Sequence, residues 1–331
     1  MSSTSPTNKD PYLSVLSSIF KNLDSDRFTV QYTPRITFIC GGPISSGSAA
    51  FPVSLRERIL VHLDEHHNEV EKNTVVAESF SDYFQKGQYT DLLQFEEDIA
   101  NIASLIVICL ESAGSLVEFG LFCNHASTAE KLLVYVPEEH FEGVDSFIFL
   151  GPLSQLRAKS SDSVLSYPFP DSSRLHYEDI DMVVGDLVDK LESSPKTGQF
   201  DVDNSGHLAF LIHDIISLCT PIKKQEIMTC LADLSINKLT DRRLSCLLYL
   251  LMKIRLVGRK TYSHVDYFYA IEPSLSKLTF GRCKDGTSFD RTAKFIEIKQ
   301  TFILQHEAER QSTKKRRLAQ SKINEIIKGQ S

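Results

Sequence analysis

The sequence predicts an α/β protein, a parallel sheet covered by helices on both faces, joined to a smaller and mostly helical module. Three observations predict it. Short apolar runs rich in β-formers alternate with helical stretches through the first half of the chain, and strands apolar on both faces that alternate with helices belong to a buried parallel sheet. Residues 1–200 hold 14 Lys and Arg against 29 Asp and Glu, a balance of −15, whereas residues 201–331 hold 22 against 14, a balance of +8. The 331 residues exceed what one core usually organises, and SSPKTGQFDVDNSG, residues 193–206, breaks both periodicities close to where the charge changes sign.

Composition excludes several classes. Hydrophobic residues at 42% and charged residues at 24% are those of a folded chain and exclude a mostly disordered one. No apolar run approaches the roughly 20 residues of a membrane helix, and MSSTSPTNKDPY lacks the basic patch and apolar stretch of a leader. A cytoplasmic protein with no membrane partner is the expectation. Cys40, Cys109, Cys123, Cys219, Cys230, Cys246 and Cys283 are odd in number and form no CxxC pair, which favours buried free thiols in a reducing compartment. There is no HExxH, and the adjacent His66 and His67 diverge on a helix, so no metal is expected.

After the amphipathic PYLSVLSSIFKNL, the first strand is RITFIC (35–40), stopped at Gly41-Gly42-Pro43. VSLRERILVHLDEHHNEV spaces Val53, Leu55, Ile59, Leu60 and Leu63 for one buried helical face. TVVAE (74–78) is the second strand, DLLQFEEDIANIA a helix, and SLIVICL (104–110) a continuous apolar strand. A helix starts near Ser115, KLLVYV (131–136) is the fourth strand, and SVLSYPF (163–169) the fifth.

Ligands of such sheets sit beyond the carboxyl ends of the strands. That rule selects two loops, 40–47 and 111–115. The first has no GK[ST] and no full GxGxxG. Gly41 and Gly42 either admit a ligand close to backbone amides or simply form a tight turn. The second loop brings Glu111 at the strand end and Glu118, expected in the first turn of the next helix. Ser115-x-x-Glu118 matches a capping box. Alternatively, the helix dipole keeps Glu118 ionised and facing the crevice, where it could attack a sugar carbon.

ITFICGG, then LLQFEEDIANIASLIVICLESAGSLVEFGLFCN, then SFIFLGPLSQLRAKSSDSVL resembles the nucleoside-deoxyribosyltransferase-like effector proteins encoded beside bacterial retrons, in detail over residues 34–168. ESAGSLVEFG is the most specific piece. The resemblance implies a Rossmann-like or flavodoxin-like N-glycosidase domain in which Glu118 matches the catalytic glutamate. That group would attack the anomeric carbon of NAD or a related nucleotide, acting as substrate and not cofactor, and form a glycosyl ester. It also implies a nucleotide-facing loop at Cys40, Gly41 and Gly42, a turn before the nucleophile at Ser112, Gly114 and Ser115, and a substrate-side amide at Asn124. Glu96 matches a helix carboxylate that could orient a ribose hydroxyl, or else shares a solvated face with Glu97 and Asp98. Glu111 could bind ribose or assist the leaving base, or only form a turn. The AGS turn departs from classical transferases, which more often carry further acids there.

In the second half, HLAFLIHDIISLC, KKQEIMTCLADL and DRRLSCLLYLLMKIRL read as helices, and VGRKTYSHVDYFYAI as a β-ribbon with a polar, basic tip. That is the order of a winged helix-turn-helix. Arg242, Arg243, Lys253, Arg255, Arg259 and Lys260 are candidate phosphate contacts, Tyr262 stacks or packs, and Tyr267, Phe268 and Tyr269 are core; a protein-binding module fits equally. AKFIEIKQTFILQHEAERQSTKKRRLAQSKINEII predicts one long helix, in which Lys314-Lys315-Arg316-Arg317 either grips nucleic acid or is solvated.

The expected organisation is an extension with a short helix (1–33), the N-glycosidase domain (34–195), the winged helix (205–285) and a C-terminal helix with basic tail (286–331). The resemblance implies a toxic antiviral effector restrained by a retron reverse transcriptase and its msDNA in a larger oligomeric assembly. A non-catalytic nucleotide sensor coupled to a DNA-binding regulator is the alternative, and a DNA-modifying glycosidase a third reading.

Overall fold

The computed structural model describes residues 10–45, 51–80, 89, 91–124, 126–141, 149–171, 173–304 and 310–330. The chain divides into two compact units, Tyr32–Lys196 and a second made of the residues up to Gln31 with those from Thr197 onward.

Helix α1 (Pro11–Asn22) is capped by Asp10, whose carboxylate accepts from Tyr12 N at 3.0 Å, with proline at its first position. Strand β1 (Thr29–Gln31) follows. The next strands are β2 (Thr37–Cys40), β3 (Thr74–Val76), β4 (Leu105–Cys109), β5 (Leu132–Pro137) and β6 (Val164–Tyr167), each inside or within a residue of an apolar run of the sequence. Between them lie α2 (Leu55–His66), the single turn α3 (Asn68–Glu71), α4 (Leu92–Ile102), α5 (Ala113–Cys123), and the short α6 (Ala126–Ala129), α7 (Glu138–Phe141) and α8 (Ser154–Lys159). Helix α9 (Ile180–Ser193) closes the unit.

These five strands form one parallel sheet in the order β3-β2-β4-β5-β6, with Thr37 opposite Leu105 and Ile106 opposite Leu132. The first strand of the unit therefore lies between its second and third, and the winding reverses between β2 and β4. That is the doubly wound order, and its reversal point is where such sheets bind ligands. Alternate residues serve opposite faces. Ile39, Leu105, Val107, Cys109, Leu133 and Tyr135 pack with Leu55, Ile59 and Leu63 of α2 and Val183, Val184 and Leu187 of α9. On the other face Phe38 meets Phe122 of α5 edge-on, with ring centroids 6.1 Å apart.

The second unit opens with β7 (Thr197–Gln199). Helices α10 (Ser205–Cys219), α11 (Lys224–Asp233) and α12 (Asp241–Lys253) lead into the antiparallel pair β8 (Val257–Tyr262) and β9 (Val265–Ala270). Ser263 and His264 join the pair with φ of 50° and 61°, the two left-handed residues of a type I′ turn. Strand β10 (Leu278–Thr279) and helices α13 (Arg291–Ile303) and α14 (Gln311–Gln330) complete it. The C-terminal stretch is thus two helices where the sequence predicts one. The sheet order β10-β1-β7 places β1 between two strands from the far end of the chain. Residues 10–31 are therefore structural members of this unit: Tyr12, Leu16, Ile19 and Phe20 are buried, and Tyr12 Oη donates to Cys219 O at 2.6 Å.

A buried carboxylate organises this unit. Asp214 of α10 is fully inaccessible and accepts from Ser276 Oγ (2.7 Å), Lys277 N (2.6 Å), Leu278 N (3.1 Å) and Arg291 Nη1 (2.6 Å), with His213 Nδ1 at 3.3 Å. Burial alone would raise its carboxyl, but the His213 and Ser276 bonds and the Arg291 charge outweigh it and hold the group below the usual range. Arg316 of α14 is also buried, bonded to Glu226 and Pro221 O, with its guanidinium 3.5 Å from the centre of the Tyr12 ring. It is neither a solvated turn nor a free phosphate contact. All seven cysteines are free, and all except the half-buried Cys123 are buried. Among the described residues no helix is long and apolar enough to cross a membrane.

Removing Asp214 leaves Arg291 and two backbone amides without their buried acceptor. Asp214→Ala is expected to cost about 3–5 kcal/mol of unfolding free energy, read by urea denaturation; a loss within experimental error would show that the network contributes nothing net.

Candidate active site

The site is built at the reversal point, from the chain that leaves β2 and β4. Glu111, just past β4, does not point an idle carboxylate into a crevice. Its Oε1 accepts from Gly42 N (2.8 Å) and Arg56 N (3.1 Å), and its Oε2 from Leu55 N (2.9 Å). Leu55 and Arg56 open α2, so Glu111 satisfies two of the amides a helix start leaves unpaired and places negative charge at the favourable end of the dipole. The close approach that Gly41 and Gly42 permit is to this carboxylate. A Cβ on Gly42 would lie 2.8 Å from Glu111 Cδ and 2.9 Å from Ser54 Cβ, and one on Gly41 2.9 Å from Glu111 Oε1 and from Arg56 Cβ.

The rest of this loop is pinned by Glu57. Its carboxylate accepts from Val53 N (2.7 Å), Ser45 N (2.9 Å) and Ser45 Oγ, while Glu57 N donates to the N-cap Ser54 Oγ at 3.0 Å. Burial pushes the Glu57 carboxyl up, but these bonds outweigh it and hold the group below the ordinary value. Ser46 and Gly47, part of the same candidate loop, lie outside the described residues, as do Ser146–Ile148 of the SFIFLGP stretch.

Helix α5 starts earlier than the sequence predicts, and this changes the role of Glu118. The N-cap is Ser112, and its capping box closes with Ser115: Ser115 N donates to Ser112 Oγ and Ser112 N to Ser115 Oγ, both at 3.1 Å. Ser112 Oγ also reaches Gly41 O at 3.2 Å. Glu118 is therefore in the second turn and is not spent on the cap, and the dipole, which acts mainly over the first turn, is not what governs it. Burial raises its carboxyl, opposed by a hydrogen bond with the Cys40 thiol and by the Arg56 charge.

Glu96 of α4 belongs to the same cluster. Its Oε2 is buried and accepts no hydrogen bond among the described residues, and burial followed by the Glu118 charge raises its carboxyl to about 7. The QFEED acids are not one solvated face: Glu97 is exposed, whereas Asp98 is fully buried and accepts from Tyr89 Oη at 2.7 Å. Burial, then Glu118, drive the Cys40 thiol well above its ordinary value, so it serves as a neutral donor to Glu118.

Two members of the cluster escaped the sequence reading. Arg56 is buried and makes a bidentate pair with Glu78, Nη1 to Oε2 at 2.9 Å and Nη2 to Oε1 at 2.6 Å, with the Glu78 side chain 55% exposed. Both had a signal. Glu78 lies just past the carboxyl end of β3, where ligand-facing residues collect, and Arg56 is a basic residue in a first helical turn, against the dipole. Asn124 lies elsewhere: its Nδ2 donates to Gly120 O at 2.7 Å, and it lines a cleft of about 350 Å³ with Cys123, Gly151, Pro152, Gln155 and Lys159. Gly114 is exposed in the first turn of α5.

The six basic candidates of the second unit are divided between the start of α12, its end and strand β8. Arg242, exposed, and Arg243, half-buried, start α12, whereas Lys253 and the exposed Arg255 end it, about 16 Å away at 1.5 Å per residue. Lys253 Nζ sits 5.5 Å from the Tyr249 ring centre, and Arg255 has a φ of 58°. On β8 Arg259 is exposed, 3.6 Å from Asp266, and Lys260 is half-buried. Tyr267 and Tyr269 pack on Ala319 and Ile323 of α14, and Tyr262 packs against that cluster.

The fold and cluster define a class: a doubly wound α/β protein that holds two raised carboxylates and a buried arginine at the carboxyl ends of its strands. Residues 52–259 match the family described as STM3845 retron effector protein, more than half of the chain, and the chain belongs to that family. A retron Ec73 protein of Escherichia coli, named for ribosyltransferase and DNA-binding roles, is 26% identical over 163 residues, 42% of this chain and 48% of its own length. A retron Ec86 protein of the same organism, named in the same words, is 36% identical over 80 residues, 24% of this chain and 25% of its own length. The chain spans about half the length of the first relative and a quarter of the second.

The two carboxylates past β4 should respond oppositely to amidation. Glu111→Gln leaves amide donors facing an NH₂ group and should cost about 1–3 kcal/mol. Glu118→Gln removes an acid whose ionised form is disfavoured by burial, so at pH 7 stability should hold or rise. Urea denaturation of both variants checks this; equal losses would refute the division of roles.

Proposed function

We propose that this retron effector is an N-glycosidase that cleaves the bond between base and ribose in NAD or a related nucleotide, with Glu118 as nucleophile. The observation that carries the reading is the Ser112–Ser115 cap, which leaves the Glu118 carboxylate unspent beside Glu96, Cys40 and Arg56 at the reversal point. The Escherichia coli relatives named for ribosyltransferase roles point to the same chemistry.

In this reading Glu118 attacks C1′, the bond from C1′ to the base nitrogen breaks, and its electron pair leaves with the base. A nicotinamide ring is already cationic and leaves as a neutral molecule without prior protonation. The product is a ribosyl ester of Glu118, the covalent intermediate of a retaining reaction. The Cys40 thiol donates to the carboxylate and orients it, and the Arg56 charge favours its ionised form. Gly41, Gly42, Ser112, Gly114 and Ser115 set the backbone around it. The second unit, three helices followed by a β8–β9 ribbon, we read as a winged helix-turn-helix. It would dock the effector on a complex of reverse transcriptase and msDNA that restrains a toxic antiviral activity.

The test is mass spectrometry of small molecules after incubation of the protein, alone and with its retron complex, with NAD and a panel of nucleotides. Wild type should release base, and Glu118→Gln should fall by more than about 10³-fold while still binding substrate. Intact substrates under every condition, or a fully active Glu118→Gln variant, would overturn the reading.

A further inference from the structure

Glu96 has a feature that Glu118 chemistry alone leaves unused. Its neighbours on α4 are committed, Phe95 to the core and Asp98 to Tyr89, yet the buried Oε2 of Glu96 accepts nothing among the described residues. A carboxylate oxygen withdrawn from bulk water without a donor is costly unless a ligand supplies one. A water molecule or a sugar hydroxyl can supply that donor.

We propose that Glu96 is the acid/base that resolves the glycosyl-enzyme, taking a proton from water as the water oxygen bonds to C1′, so that water is the acceptor and the enzyme a hydrolase. The inference rests on Glu118 being the nucleophile. The bond from C1′ to the Glu118 oxygen breaks in the same step, and its electron pair returns to Glu118 as carboxylate. Glu96 then carries the proton. It passes that proton to solvent, or to the leaving base of the next turnover where the base is neutral.

The cluster times these proton transfers. Glu96 is raised to about 7 by burial and then by the charge of Glu118. When Glu118 becomes an ester its charge is gone, and the second cause disappears with it. Glu96 therefore loses its proton more readily in the intermediate, when a base is required, and regains it when Glu118 is freed. The group is protonated when an acid is useful and ionised when a base is needed.

The experiment uses NAD with wild type, Glu96→Gln and Glu118→Gln, read by rapid quench, intact mass and peptide mapping. Glu96→Gln should release about one equivalent of nicotinamide in a burst, hold an ADP-ribosyl group on Glu118, and turn over at least about 100-fold more slowly. The base form must be ionised, so wild-type kcat should fall as pH drops below the Glu96 value in the intermediate, and Glu96→Gln should lack that limb. Glu96→Gln turning over at the wild-type rate, or losing the burst together with turnover, overturns the role. If wild type releases no nicotinamide, the Glu118 reading fails on NAD and this inference falls with it, an outcome visible in the wild-type arm alone.

Discussion

The site depends on one carboxylate whose two oxygens are committed to backbone amides. Glu111 gathers Gly42 N, Leu55 N and Arg56 N onto its two oxygens, tying the end of β4 to the loop after β2 and to the start of α2. Because its side chain occupies the space that Cβ atoms would fill, Gly41 and Gly42 tolerate no side chain. Because it fixes the first turn of α2, it also fixes Arg56, whose guanidinium reaches Glu78 just past β3. Three adjacent strand ends are thus held in register by a set of charge-assisted hydrogen bonds. An arginine in a first helical turn opposes the dipole, and here carboxylates on both sides offset that cost.

The acids around the reversal point then sort themselves by what they are bonded to. Glu57 and Glu111 accept from backbone amides, and for Glu57 those bonds outweigh burial. Among the described residues Glu96 and Glu118 accept from no backbone amide, and burial raises both. Donors separate the two pairs: burial costs an ionised carboxylate free energy that hydrogen bonds or an opposite charge offset. An amide-bonded acid is a structural anion with a fixed position. An acid left short of donors can change its protonation state and its bonding, and such groups mark functional sites.

The sheet was legible because continuous apolar runs bounded by Gly, Ser or acid residues have few other uses, and β4 and β5 follow their runs closely. The site was legible in part. The rule that ligands gather beyond the strand ends reached the two loops beside which the acids cluster, and the Glu118 segment resembled a known family. The bonding of each acid was not, because Ser-x-x-Glu spells a cap equally well at Ser54 and Ser115. At Ser54 the serine does cap Glu57 N, whereas at Ser115 the helix has already begun three residues earlier. Which serine starts the helix depends on Ser112 Oγ finding both Ser115 and Gly41 O, a contact 71 residues away in the chain. β1 was missed for the same reason: a three-residue strand has no periodicity, and its partners Thr279 and Gln199 are remote in sequence.

Net charge was the weakest guide to the second unit. Its excess of +8 counts every charge equally: the pairs Arg316–Glu226 and Arg291–Asp214 cancel within it, but Lys277 and Lys299 are buried. Burial lowers Lys277 and Lys299 to about 7, so each carries only part of a charge near neutrality. The excess in this pH range is therefore smaller than the count.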